Sequence, residues 1–361
     1  MPDGMGLGNQ ARHGRGATGN PAVRFETFAA EAFDDGWASA GTVFAELPVL
    51  RTEFSEDRSR TALTYNTSPD LGFDRSVNPY RGCEHGCIYC YARPTHAYLG
   101  LSPGLDFETQ IRYKPDVAQQ LRRELGKPGY VPKPIQLGAN TDPYQPVERT
   151  LQLTRQVLEV LDQFGHPVNI VTKGAGVVRD IDLLRRMAER GLVRVWLSVT
   201  TLDGALARRM EPRAAAPGRR LQAVAALERA GVPAGVLAAP MIPGLNDAEL
   251  ERILKAARES GARYAGYVLL RLPLEVRDLF TAWLQEHFPD RARHVLALVR
   301  ETRAGQLNDP RFGARFRGTG AYAELLARRF SVAVRRLGFE AREELAVEHF
   351  TGAKPAQLSL L

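Results

Sequence analysis

From about residue 134 the chain repeats one unit: a short apolar strand, a loop, an amphipathic helix and a glycine. Pro134–Ala139 reads as a strand, and the loop Asn140–Pro146 leads into a helix with Leu151, Leu158 and Leu161 on one stripe. Gly165 ends that helix, because a residue free to take positive φ closes a helix cheaply. The unit recurs as the strand Pro167–Thr172 with a helix near Asp182–Arg190, then as Leu192–Ser198 with a helix near Arg219–Ala230. Val236–Ala239 precedes Asn246, read as the cap of a helix that stops at Gly261, and Ala265–Leu270 adds a strand. With a first strand at about Arg75–Arg81, six units result. Strands alternating with helices imply right-handed crossovers and a parallel sheet. Six units are too few for a closed eight-unit barrel, so the expectation is an α/β fold, a partial (β/α)6 TIM-like barrel; a doubly wound order is the alternative. In either, the ligand site forms at the C-terminal ends of the strands.

The flanks divide the 361 residues into an N-terminal extension (1–65, the first twenty or so loose), the barrel (66–275) and an Arg-rich helical C-terminal region (276–361). That last region carries Arg291, Arg293, Arg300, Arg303, Arg311, Arg315 and Arg317, and is expected to close the open barrel or to bind substrate. No apolar run reaches the length a membrane span requires, and the first residues lack the apolar core of a secretory leader, so a cytoplasmic location is expected. A net charge of +7 permits an anionic partner such as nucleic acid, although an Arg-, Ala- and Gly-rich composition produces the same charge without a partner.

All three cysteines of the chain, Cys83, Cys87 and Cys90, lie within eight residues. Such neighbours cannot build a disulfide framework, and close-set thiols without partners elsewhere point to metal. A C-x3-C-x2-C spacing on one loop lets three thiolates face one [4Fe–4S] cubane, which ordinarily takes four. With no fourth cysteine, one iron stays open to an amino-acid-like ligand. Gly82 and Gly86 would let the backbone wrap closely around sulfide. The alternatives are zinc with His85 or a distant His as fourth ligand, for which the usual second C-x2-C pair is missing, and a cluster serving electron transfer alone.

The string NPYRGCEHGCIYCYARPTHAY, from Asn78 to Tyr98, resembles the cysteine motif of the radical S-adenosylmethionine (SAM) superfamily, with an aromatic residue just before the last cysteine. With TDPYQPVE and PMIPGLND downstream, it is similar to the spore photoproduct lyase-like branch, also called DNA repair photolyase-like, over roughly Ser68 to Leu274. The resemblance implies an enzyme that reductively cleaves SAM to a 5′-deoxyadenosyl radical, with an external electron donor of flavodoxin or ferredoxin type. It implies that Asn140, Thr141 and Asp142 accept from the methionine ammonium, and that Lys173, Ser198 or Arg213 meets the carboxylate or ribose. Ile242 and Tyr89 would pack near the adenine, and Arg271 would face the cavity. Each has a plainer reading: an Asx turn before Pro143, a solvated Lys173, a surface pair of Arg213 with Glu211.

Repair in that branch calls for a further cysteine to return a hydrogen atom, and this chain has none. Either Tyr144 takes that role or the substrate is not a thymine dimer; the second is preferred. Three functions compete: a radical enzyme acting on nucleic acid, one acting on a small molecule or protein, and a non-catalytic metal-binding module. Oligomeric state and the role of Asp34–Trp37 are left open by the sequence.

Overall fold

The computed structural model describes residues 14–25 and 50–352. Ten strands are present among them: β1 (Glu53–Glu56), β2 (Leu63–Tyr65), β3 (Arg75–Val77), β4 (Tyr80–Arg81), β5 (Gln110–Tyr113), β6 (Ile135–Leu137), β7 (Val168–Thr172), β8 (Val193–Ser198), β9 (Ala234–Met241) and β10 (Tyr264–Leu269). Seven form one sheet in the order β10-β9-β8-β7-β6-β3-β2. From β3 to β10 every pairing is parallel, and the strands follow one another in chain order. That is the open six-unit barrel expected from the strand–helix rhythm, extended at one edge by β2, antiparallel to β3.

The strands are apolar on both faces, as a sheet covered by helices demands. Every residue of β8 is buried, and so are Val168, Ile170, Val236 and Ala238. The crossover helices Leu153–Phe164, Ile181–Ala188, Pro217–Arg229 and Leu250–Glu259 face this core with Val157, Leu161, Leu184, Leu227 and Leu254. Gly165, at φ 61°, closes the first of them as anticipated.

Three local expectations give way. The first strand is two, because Pro79 has no N–H for a ladder; Tyr80 and Arg81 pair instead with β5, in a small sheet ordered β1-β5-β4. The helix expected to start at Asn246 begins with a short 3-10 turn and the side chain caps nothing. Fully buried, Asn246 accepts from the Ile242 N–H (2.6 Å) and donates to the carbonyls of Thr200 (2.7 Å) and Pro240 (3.0 Å), joining the ends of β8 and β9. Residues 14–25, within or just beyond the stretch expected to be loose, are packed, with Ala17 fully buried. Asp34–Trp37 lies outside the described residues.

The C-terminal helices Val276–His287, Pro289–Glu301 and Ala321–Leu337 cover the β10 side. Arg303, fully buried, donates to the carbonyls of Leu269 (2.8 Å) and Leu270 and to those of Ala314 and Arg315 (both 2.9 Å), pinning the region to the end of β10. Beyond Gly338 the chain runs under the opposite, N-terminal end of the barrel. The Glu340 N–H donates to Arg263, that of Ala346 to Gly191 and that of Thr351 to Phe164. Among the described residues no helix is long and apolar enough to cross a membrane.

Candidate metal centre

The cysteine loop follows β3 and β4 and is wound by successive turns. The Gly86 N–H donates to Cys83, that of Cys90 to Cys87 and that of Arg93 to Cys90. All three thiols are free; Cys83 and Cys87 are buried and Cys90 is half-buried. Burial pushes the Cys83 thiol up, and pushes Cys87 up to about 12 despite the nearby Lys173 charge. Thiols so held keep their protons until a cation replaces them, since only the thiolate binds metal. No three His, Cys, Asp or Glu side chains among the described residues are placed to hold a single ion together. A cubane makes a different demand, because each thiolate takes its own iron. The donor set of three soft ligands on one loop, with no imidazole directed among them, fits such a cluster better than zinc.

The glycines serve the loop differently from the expectation. Gly82 (φ +77°) and Gly86 (φ +66°) turn their missing side chains away from the thiols and toward the loop's support. A Cβ on Gly82 would stand 2.9 Å from the Phe107 carbonyl, and one on Gly86 2.7 Å from Glu108 Oε2. They let the loop press on its base.

The loops after β6, β7, β8, β9 and β10 bring the other candidates to the same end of the sheet. Asn140 and Thr141 both donate backbone N–H groups to Asn78 Oδ1, at 2.9 and 3.4 Å. Thr141 spends its hydroxyl hydrogen on the Tyr80 carbonyl (2.8 Å), whereas the Asn140 side chain has no hydrogen-bond partner among the described residues. Asp142 accepts from the Thr172 hydroxyl (2.6 Å), the Lys173 N–H (2.7 Å) and the Tyr144 N–H (2.9 Å), with His85 Nδ1 at 3.3 Å. Burial alone would raise its pKa, but His85 and these donors hold it at about 2. Its lone pairs are spent inside the protein, so it positions the loops instead of receiving an ammonium.

Lys173 stands with its Nζ 5.6 Å from the centre of the Tyr89 ring. Burial works against its charge, yet Cys87 and Glu211 outweigh it and raise its pKa. The Ser198 hydroxyl donates to the Ala239 carbonyl (2.9 Å), so its hydrogen is not free for a ligand. Arg213 pairs with Glu84 of the cysteine loop (2.9 Å) and not with Glu211. Ile242 is fully buried in the apolar cluster that also holds Cys87, Ile88, Tyr89 and Leu270. Arg271 lies over the Tyr91 ring at 4.4 Å and Phe316 at 5.0 Å, near Cys90, with no ion pair among the described residues. It does face the cysteine side. Tyr144 is buried with its hydroxyl turned to Asp180 (3.1 Å), and its backbone and Cβ lie against Gly174.

Two groups had no signal in the spacing of the sequence. Glu211, 2% exposed, accepts from Arg220, from the Tyr89 hydroxyl and from the Thr200 hydroxyl, so a buried ion pair anchors the aromatic residue between Cys87 and Cys90. Arg93 and Glu108, both fully buried and 2.5 Å apart, carry the loop from below.

Residues 77–257 match the family model described as the Radical SAM superfamily. An uncharacterized protein of Mycobacterium tuberculosis is 37% identical over 232 residues, covering 64% of this chain and 68% of that protein. One of Methanocaldococcus jannaschii is 28% identical over 173 residues, 48% of this chain and 62% of its own length. Among solved structures, spore photoproduct lyase complexed with dinucleoside spore photoproduct superposes with a TM-score of 0.56, at 16% identity, over 79% of this chain and 80% of that one. That likeness concerns the fold. With the family model spanning half its length and the cysteine loop at the sheet's C-terminal end, the chain belongs to the Radical SAM superfamily.

Proposed function

We propose that Cys83, Cys87 and Cys90 hold a [4Fe–4S] cluster at which SAM is reductively cleaved, and that the substrate is a nucleic acid other than a thymine dimer. The observation that carries the first part is the site itself: three free thiols on one loop, in a chain with no fourth. When bound, the cluster and SAM supply an electron and a carbon-centred radical that abstracts hydrogen; the protein orients them and keeps water out. For the orienting groups we name Asn140, with an amide free to meet the methionine end of SAM, and Lys173, whose ammonium lies 5.6 Å from the Tyr89 ring centre and would meet the carboxylate. Tyr89, held by Glu211, would flank the cluster. A flavodoxin- or ferredoxin-type protein would deliver the electron, in the cytoplasm.

The nucleic-acid part rests on the net charge of +7, and on the likeness to a fold that in spore photoproduct lyase receives a dinucleoside. A thymine dimer is disfavoured because no cysteine outside the loop can return hydrogen. Anaerobically reconstituted protein given dithionite and SAM should form 5′-deoxyadenosine. The Cys87→Ala variant should lose that product together with the visible absorbance of the cluster, and a reconstituted wild type that forms none would defeat the proposal. Binding to a labelled single-stranded oligonucleotide should weaken steeply with salt; no binding even at low salt would exclude the nucleic-acid substrate.

A further inference from the structure

We propose that the N-terminal segment Arg15–Asn20 is a clasp on the metal-binding loop, and that Glu108 is the positioning residue through which it acts. The inference rests on the reading of Cys83, Cys87 and Cys90 as cluster ligands. Glu108 sits under the loop, fully buried, and its two oxygens take three donors. Oε2 accepts from the Gly16 N–H (2.9 Å), and Oε1 from the Ala17 N–H (2.8 Å) and from Arg93 Nη2 (2.5 Å). Arg93 gives its remaining donors to the carbonyls of Cys87 (2.9 Å), Gly86 (3.2 Å), Pro103 (3.1 Å) and Gly104 (2.8 Å). One carboxylate thus joins the backbone of residues 16 and 17 to the backbone carrying Cys87.

The segment is fastened from its other side as well. Arg15 donates to the Glu108 carbonyl (2.9 Å), to the Leu50 carbonyl (2.7 Å) and to the Thr52 hydroxyl (3.1 Å). Asn20 exchanges hydrogen bonds with Asp106, and the Leu105 N–H donates to Gly19. The contact is glycine against glycine: a Cβ on Gly16 would overlap the carbonyl oxygen of Gly86, and one on Gly104 would overlap that of Gly19. Ala17 packs in the same apolar cluster as Cys87, Ile88 and Tyr89. A loop tail would not be built this way. Residues some seventy positions upstream complete the base on which the backbone of Gly86 and Cys87 rests, and a buried Arg93 charge depends on Glu108 for its counter-charge.

The test compares four proteins: wild type, Gly16→Val, a chain lacking residues 1–13 and a chain lacking residues 1–20. In cluster-free protein, alkylation of Cys87 by iodoacetamide is followed by mass spectrometry. In reconstituted protein, iron loss to a chelator is timed and the electron paramagnetic resonance spectrum of the reduced cluster recorded. Gly16→Val and the longer truncation should alkylate and lose iron about tenfold faster, the factor commanded by one lost hydrogen bond to a charged group, with altered g-values. Removing 1–13 should change nothing. Glu108→Gln should behave as Gly16→Val does, and Glu108→Asp should recover part of the protection. Rates and spectra equal to wild type in Gly16→Val and in the longer truncation overturn the clasp. So does a loss of melting temperature in which Cys83, Cys87 and bulk amides open together, since the segment would then be general support. If wild type binds no cluster while Cys87 alkylation still responds as described, the functional reading fails and the clasp stands.

Discussion

At the residue scale, Glu211 shows how a fully buried ion pair differs from a partly exposed one. Its pKa is held below the ordinary value: burial would raise it, but Arg220 and Lys173 outweigh that. Arg220 is 1% exposed and also donates to the Ser198 (2.9 Å) and Ala215 (2.6 Å) carbonyls. Glu211→Gln strands that guanidinium without a counter-charge and should cost about 3–5 kcal/mol, read from urea unfolding. Replacing Arg220 by Met in the same protein should recover part of the loss, because the two partners are coupled. Arg213→Ala is the milder case. Its side chain is 35% exposed, but Glu84 is 4% exposed and among the described residues keeps only the Val147 N–H as a further donor, so the same measurement should find about 1–3 kcal/mol, less than for Glu211.

Elements, not single residues, decide which candidates meet. The ends of β3 and β6 are tied by Asn78, and those of β8 and β9 by Asn246. Asn246→Ala leaves the buried Ile242 N–H and two carbonyls without partners, at a cost of about 1–3 kcal/mol for an unsatisfied group. Hydrogen exchange at Ile242 and Leu245 should rise while the amides of β7 keep their protection. An equal rise in β7 would mean that Asn246 supports the whole sheet and not this junction. The same scale explains what could be read in advance. Six parallel strands were legible because apolar runs and helix-ending glycines such as Gly165 and Gly191 are local signals. The cysteine loop was legible because its ligands lie within eight positions. Which polar groups at the strand ends stay free was not legible. That depends on pairings between residues far apart in the chain: Thr141 with Tyr80, Ser198 with Ala239, Arg213 with Glu84, Gly16 with Glu108. An Asn before a helix looks like a cap in any sequence, and only the neighbouring strand ends show Asn246 to be a cross-tie.

For the whole molecule, two buried histidines govern behaviour in acid. His96 and His166 are fully buried, and burial lowers each pKa to about 4, against 6.5 for the free side chain. Between those values the unfolded chain binds protons that the folded one refuses, so stability is full above about pH 6.5 and falls as the pH drops toward 4. Each site contributes roughly 3 kcal/mol over that window, from the size of the shift. Melting temperature should decline across it, and His166→Gln should halve the slope; a wild-type melting temperature flat from pH 6.5 to 4 would contradict the assignment.

The strand of chain beyond Gly338 has a consequence in time. It closes the floor of the barrel with residues 340–351, which leave the ribosome only after all the strands they cover. At roughly 5–20 residues per second, the eighty or so residues from the end of β10 to Thr351 take on the order of 4–16 seconds, during which the core can assemble with its underside open. During that interval the protein depends on its own solubility, or on a chaperone, to keep Gly165, Gly191 and the apolar residues behind them from other chains.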